Sequence, residues 1–231
     1  GGADYVIEVD WNNDGSFVDA YENITADVES LTIERGREAE LGIAGTGTLE
    51  LVLRNSDKKY SPENTASVLS PNLLPGRPIR VRAVYSGVTY DRFRGYIEKI
   101  VPYPDANREV AYILATDGFD QLARAEIDAP SGGILLGTFA GGANGPVATI
   151  LSRANWLGGS TLDKGSDQMD MWWVHKESAL DALQRIAEIE GSFVYVDGTG
   201  KLVYVDRHHR HGDGAGGATD HTVSQATFTD T

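Results

Sequence analysis

The stretch that decides the fold runs from Leu31 to Ile100 and reads LTIERGR (Leu31 to Arg37), AGTGTLELVLRN (Ala44 to Asn55), YSPEN (Tyr60 to Asn64), LLPGRPIRVRAVY (Leu73 to Tyr85) and YDRFRGYIEKI (Tyr90 to Ile100). Between Thr48 and Arg54, Leu49, Leu51 and Leu53 point one way while Glu50, Val52 and Arg54 point the other, the two-residue period of a strand with one wet face. The design returns after the Pro75-Gly76 turn, where Ile79, Val81, Ala83 and Tyr85 make an apolar face opposite Arg80 and Arg82. Antiparallel strands of this kind must bury the apolar face and hide their edges, which predicts a small barrel or sandwich.

Outward from this core, Tyr5 to Asp10 reads as an opening strand. Val110 to Thr116 is apolar on both faces and is expected to be buried on both sides. Residues 1–125 thus form an N-terminal antiparallel β-barrel domain, and residues 126–231 a smaller α+β domain, so the fold class is mainly β with an α+β part. In the second domain Ser131-Gly132-Gly133 and Gly141 to Gly145 read as loops around the apolar run Ile134 to Phe139. Pro146 then opens a helix predicted over 146–157, with Val147, Ile150, Leu151 and Ala154 on one face. A second helix is predicted over 179–190. Ser178 caps it, Leu180, Leu183, Ile186 and Ala187 form its inner stripe, and Gly191 stops it. A hairpin over 193–205 follows, turning at Asp197 to Lys201.

The chain has 231 residues, 41% of them hydrophobic, enough for one large or two modest cores. It has no run of ~18 apolar residues and no basic-then-apolar leader, so neither a membrane span nor a retained signal peptide is expected. With no cysteine, disulfides, thiolate catalysis and cysteine-based zinc sites are excluded. The formal net charge is −14, and nine carboxylates (Asp4, Glu8, Asp10, Asp14, Asp19, Glu22, Asp27, Glu29, Glu34) precede the first basic residue, Arg35. The stretch from Arg77 to Lys99 holds Arg77, Arg80, Arg82, Arg92, Arg94 and Lys99 against Asp91 and Glu98. The net charge argues against a stable grip on nucleic acid. The asymmetry predicts solubility and salt links between subunits.

The ordered motifs of the first half carry a resemblance. An Arg35-Gly36-Arg37 turn ends one strand, a small-residue start (Ala44 to Gly47) leads the next to Asn55, and Tyr60-Ser61-Pro62 and Pro75-Gly76-Arg77-Pro78 follow. Phe93-x-Gly95-x-Ile97 and a strand closing on Thr116-Asp117-Gly118 complete the set. In this order they resemble the hub or tail-tip proteins of bacteriophage tails and related contractile injection machines, and the helix and hairpin of the second half continue the likeness.

The resemblance implies a tail-hub-like barrel and a structural, non-enzymatic role, linking tail tube to distal tip proteins through ring-like self-assembly as a homotrimer. It also implies the tail tube, distal tail proteins and tape-measure protein as partners, and a virion tail location after assembly in the host cytoplasm. In that family a second barrel follows the hairpin. No stretch of this sequence supplies it, which leaves open a piece of a longer product or a branch that assembles differently. Two other functional readings are the N-terminal part of a tail-associated cell-wall hydrolase and a calcium-dependent carbohydrate-binding or adhesion module.

One segment has the donors of a metal loop. In Asp10-Trp11-Asn12-Asn13-Asp14-Gly15-Ser16, oxygens at alternate positions followed by glycine match the first half of a calcium loop, so Asp10, Asn12 and Asp14 are the candidate ligands for Ca2+. The second half departs from it. The twelfth position is Tyr21, which leaves Asp19 or Glu22 as substitutes, and a plain Asn/Asp-Gly turn is the simpler reading. His208 and His211 in Arg207-His208-His209-Arg210-His211 could share a metal, but the flanking arginines oppose a cation and favour a solvated basic loop. Trp156, Trp172, Trp173 and Tyr195 would suit a sugar-stacking platform, or the packing of the second domain or of a subunit interface. No Gly-x-Ser-x-Gly elbow, His-Glu-x-x-His or phosphate-binding Gly-Lys-Ser/Thr loop is present, so no catalytic residue is assigned.

Overall fold

The computed structural model describes residues 4–36, 44–104, 109–129, 138–142, 145–165, 168–169 and 172–207. The chain divides into two compact units, residues 1–121 with 196–201, and residues 122–195 with 202–231.

The first unit is built on six strands: β1 (Asp4–Val9), β2 (Val28–Glu34), β3 (Thr48–Arg54), β4 (Pro78–Tyr85), β5 (Val88–Pro104) and β6 (Glu109–Thr116). They form one antiparallel sheet in the order β1-β4-β5-β6-β3-β2. Leu49, Leu51 and Leu53 of β3, Ile79 and Val81 of β4, Phe93 and Ile97 of β5, and Ile113 of β6 are buried together on its concave side. Register shifts between Val81 and Arg82 and between Ile97 and Lys99 bend the long β5, which lets a flat ladder curl. Gly95 of β5 allows close approach of β6, since a Cβ there would run into the Thr116 carbonyl.

The expected barrel is a curled half-barrel, with β1 and β2 as its two edges. The outer edge of β1 is covered by the chain that returns after the first loop: the Val9 amide donates to the Glu22 carbonyl (2.9 Å), the Ile24 amide to the Ile7 carbonyl (3.0 Å), and the Ile7 amide to Thr25 Oγ1 (2.9 Å). Burial of β6 also differs from the sequence expectation. Val110, Ala111, Ile113 and Ala115 are buried, but Tyr112 is exposed and Leu114 half-buried. An antiparallel sheet keeps one face in water, and a tyrosine ring tolerates that position. The Tyr60-Ser61-Pro62 element anchors the long connection between β3 and β4. The Tyr60 amide donates to Asn55 Oδ1 (2.8 Å), its ring is buried in the core of the sheet, and its hydroxyl donates to Asp27 Oδ2 (2.6 Å).

A short helix that the sequence reading did not anticipate, α1 (Gly118–Arg124), follows β6. The remaining elements are β7 (Glu126–Ala129), β8 (Thr138–Phe139), α2 (Pro146–Arg153), β9 (Ser160–Leu162), β10 (Gln168–Met169), β11 (Val174–Ser178), α3 (Ala179–Glu190), β12 (Phe193–Val196) and β13 (Leu202–Val205). β7 pairs with β11 and β8 with β10, while β12, β13 and β9 form a three-stranded sheet in which β9 runs parallel to β13.

α3 has the predicted bounds. Ser178 Oγ accepts from the Asp181 amide (3.0 Å), and Gly191 ends the helix at φ 65°. Leu180, Leu183, Ile186 and Ala187 are buried, and the helix packs against α2. α2 stops at Arg153, short of the predicted residue 157, because the Trp156 amide turns back to the Leu151 carbonyl (2.9 Å). Arg37, the predicted loop Ser131 to Gly133, the run Ile134 to Gly137, Ala143-Asn144 and the cluster His208 to His211 lie outside the described residues.

Candidate functional site

The candidate site is the loop from Asp10 to Glu22. Its two ends are neighbours because residues 22–24 return along β1, pairing Glu8 with Asn23 as an isolated bridge. Beneath the loop, Trp11 and Phe17 are buried; the Trp11 indole donates to the Tyr21 carbonyl (3.2 Å), and the Arg80 guanidinium lies 4.3 Å from the centre of the Phe17 ring. Asn13 (φ 60°), Gly15 (φ 87°) and Tyr21 (φ 71°) adopt left-handed backbone conformations, of which only Gly15 is free of a side-chain penalty.

The Asp10 carboxylate is fully buried and organises the turn. Its oxygens accept from the amides of Asp14 (3.1 Å) and Gly15 (2.8 Å), and Asp14 in turn accepts from the Ser16 amide (2.8 Å). Asn12 is a tie between neighbours: its Nδ2 donates to Asp19 Oδ2 (2.8 Å), and its Oδ1 accepts from the Asp14 amide (3.2 Å). These bonds account for the segment as an Asp-Gly turn.

Glu22 stands apart from that account. It is only 1% exposed; one carboxylate oxygen accepts from the Asp19 amide (2.9 Å), and the other, Oε1, is buried with no hydrogen-bond partner. One oxygen from each of Asp10, Asp14 and Glu22 lies within 4.8 Å of the others. Burial pushes the Glu22 carboxyl above the usual carboxylate range; the Asp19 amide opposes this, and the charges of Asp19, Asp10 and Asp14 reinforce it. Among the described residues no lysine or arginine forms an ion pair with Asp10, Asp14 or Glu22. The structure thus gathers Asp10 and Asp14 with Glu22, and Asn12 holds Asp14 and Asp19 in place.

The other sequence candidates separate. Trp172 is buried, Trp156 is half-buried and donates to the Gly159 carbonyl (2.6 Å), and Trp173 and Tyr195 are exposed, so the four do not present a common set of open rings. The charge asymmetry is partly spent inside the chain. Because β1 pairs with β4, the Glu8 carboxylate takes Arg80 Nε and Arg82 Nη2, both at 2.8 Å, so these arginines are not reserved for another subunit.

No family model matches the sequence, and no curated protein matches it. Its fold is that of phage tail proteins. It superposes on the 43 kDa tail protein of prophage MuSo2 from Shewanella oneidensis with a TM-score of 0.55 at 18% identity, covering 88% of this chain and 54% of that one. On the tail protein from Neisseria meningitidis MC58 the TM-score is 0.57 at 13% identity, covering 88% of this chain and 50% of that one. The chain therefore spans about half the length of the solved tail proteins that it matches. Among the described residues, no helix is long and apolar enough to cross a membrane.

Proposed function

We propose that this chain is a structural component of a phage or phage-like tail, placed at the tail tip or baseplate hub, where it joins the tail tube to distal tip proteins by forming a ring with copies of itself. The observation that carries the proposal is the curled six-stranded sheet with its appended α+β unit, which follows the two tail-protein folds over 88% of the chain. The role is mechanical and assigns no residue to catalysis. The partners are other copies of the chain, as a homotrimer, the tube above, and the distal tail and tape-measure proteins. The site of action is the virion tail, assembled in the host cytoplasm. A net charge of −14 keeps the protein from holding nucleic acid while leaving it compatible with DNA passing by.

Two surfaces of the first unit suit contact between copies. β2 ends the sheet, and among the described residues no further strand pairs with its outer edge. At the other side, Tyr5 of β1 and Tyr90 of β5 both lie opposite Ala83 of β4, and with Tyr85 they form an exposed row of rings, the residue type enriched at protein interfaces. Sedimentation velocity at tens of micromolar, with negative-stain imaging, tests the assembly. A discrete ring with the mass of three chains or a multiple of three is expected, and Tyr5→Ala with Tyr90→Ala shifts it toward smaller species. A monomer at every concentration in low salt contradicts the self-assembling ring.

A further inference from the structure

We infer that the loop closing the β1 edge is a calcium site, in which carboxylate oxygens of Asp10, Asp14 and Glu22 hold one Ca2+ ion between the start of the loop and its return. The inference rests first on Glu22 Oε1. A carboxylate oxygen buried in a residue 1% exposed, without a hydrogen-bond donor, is costly unless something positive faces it. Beside the Glu22 carboxylate are two further carboxylates, and among the described residues no lysine or arginine is paired with any of the three. Three carboxylates drawn together without a cation repel one another, and a divalent ion turns that repulsion into attraction.

The donor chemistry favours calcium. Calcium takes oxygen ligands at about 2.3–2.6 Å, so two ligands of one ion stand up to ~5 Å apart, and three oxygens within 4.8 Å of one another are close enough to share one. Magnesium demands a near-ideal octahedron at about 2.0–2.1 Å and gives up its water reluctantly, so a loop of protein carboxylates suits it less well. All the donors are oxygens, which disfavours the softer transition metals.

The chain also shows how the ligand set is completed without a glutamate at the twelfth position. Tyr21 occupies that place, held by the Trp11 indole in a left-handed conformation (φ 71°), and the carboxylate is delivered one residue later, by Glu22. Glu22 is also the residue whose carbonyl accepts from the Val9 amide, at the start of the segment that covers the β1 edge. An ion bridging Glu22 to Asp10 would therefore fasten this cover to the sheet.

The test uses the full chain and Ca2+ itself, by equilibrium dialysis and by melting in EDTA or in added CaCl2. One ion per chain is expected, with a rise in Tm of about 5–10 °C when Ca2+ stands at about a hundred times its Kd, and a smaller rise with Mg2+. Glu22→Gln preserves shape while removing the buried charge. It should melt higher than the parent in EDTA and bind Ca2+ at least tenfold more weakly. Asp14→Asn removes one of the repelling charges at an exposed position, so it should melt no lower than the parent in EDTA and also bind at least tenfold more weakly. Absence of bound Ca2+ and of any Tm shift in the parent overturns the inference, and so does a shift of equal size in the parent and both variants, which would place the ion elsewhere.

Discussion

Asp117 shows how single residues fix the first unit. Only 5% exposed, it accepts from the amides of Gly47 (2.8 Å) and Phe119 (3.0 Å), tying the start of β3 to the end of β6. A Cβ at Gly47 would lie 2.5 Å from Asp117 Oδ2, so the glycine of Ala44-Gly45-Thr46-Gly47 is there for close approach. Burial pushes the Asp117 carboxyl up to about 6 from 3.8, against the pull of the two amides and of Arg35. Between those values the folded chain holds a proton that the unfolded chain has released. The contribution of this group is therefore full below about pH 4 and is lost as pH rises through about 6, a change of roughly 2–3 kcal/mol. Urea unfolding of the parent and of Asp117→Asn at pH 4, 5, 6 and 7 checks this. The stability of the parent relative to the variant should fall by that amount across the series, whereas a constant difference would mean that the amides keep Asp117 ionised throughout.

At the scale of elements, α3 makes the sharpest claim. Leu183 is fully buried in the stripe that faces α2, so Leu183→Ala should destabilise by about 2–5 kcal/mol through the cavity it leaves. Arg185, on the exposed side and paired with Glu177 at 2.8 Å, should lose no more than about 1 kcal/mol on truncation to alanine. Chemical denaturation of both variants decides the matter, since equal small losses would mean that the stripe does not form the core of this unit.

α3, β3 and β4 were legible in the sequence because their signals are local: a cap, a stripe of fixed period and a stop. What escaped depends on distant parts of the chain. The apolar outer face of β6 reads as buried, yet Tyr112 is exposed, since sequence does not say whether a second layer covers a sheet. Closure into a barrel was expected from the need to hide edges, and the cover of β1 by residues 22–25 meets part of that need without a closed ladder. In the acidic loop the spacing of Asp10, Asn12 and Asp14 was visible. The choice of Glu22 over Asp19 was not, because it depends on a non-glycine residue, Tyr21, taking positive φ.

For the whole molecule, the fold likeness and the proposed role are separate claims, and the second needs a measurement of its own. Pairing of Glu8 with Arg80 and Arg82 within the chain removes part of the charge that could otherwise join subunits, so the proposed ring would draw on the β2 edge and the exposed tyrosines. Contacts of that kind resist salt better than ion pairs do. The most direct measurement is immunogold electron microscopy of tail particles from the source strain, with antibodies raised against this chain. The account predicts gold at one end of each tail, at the tip, and none along the tube. Gold spread along the tube, or particles that carry none of the chain, would contradict it.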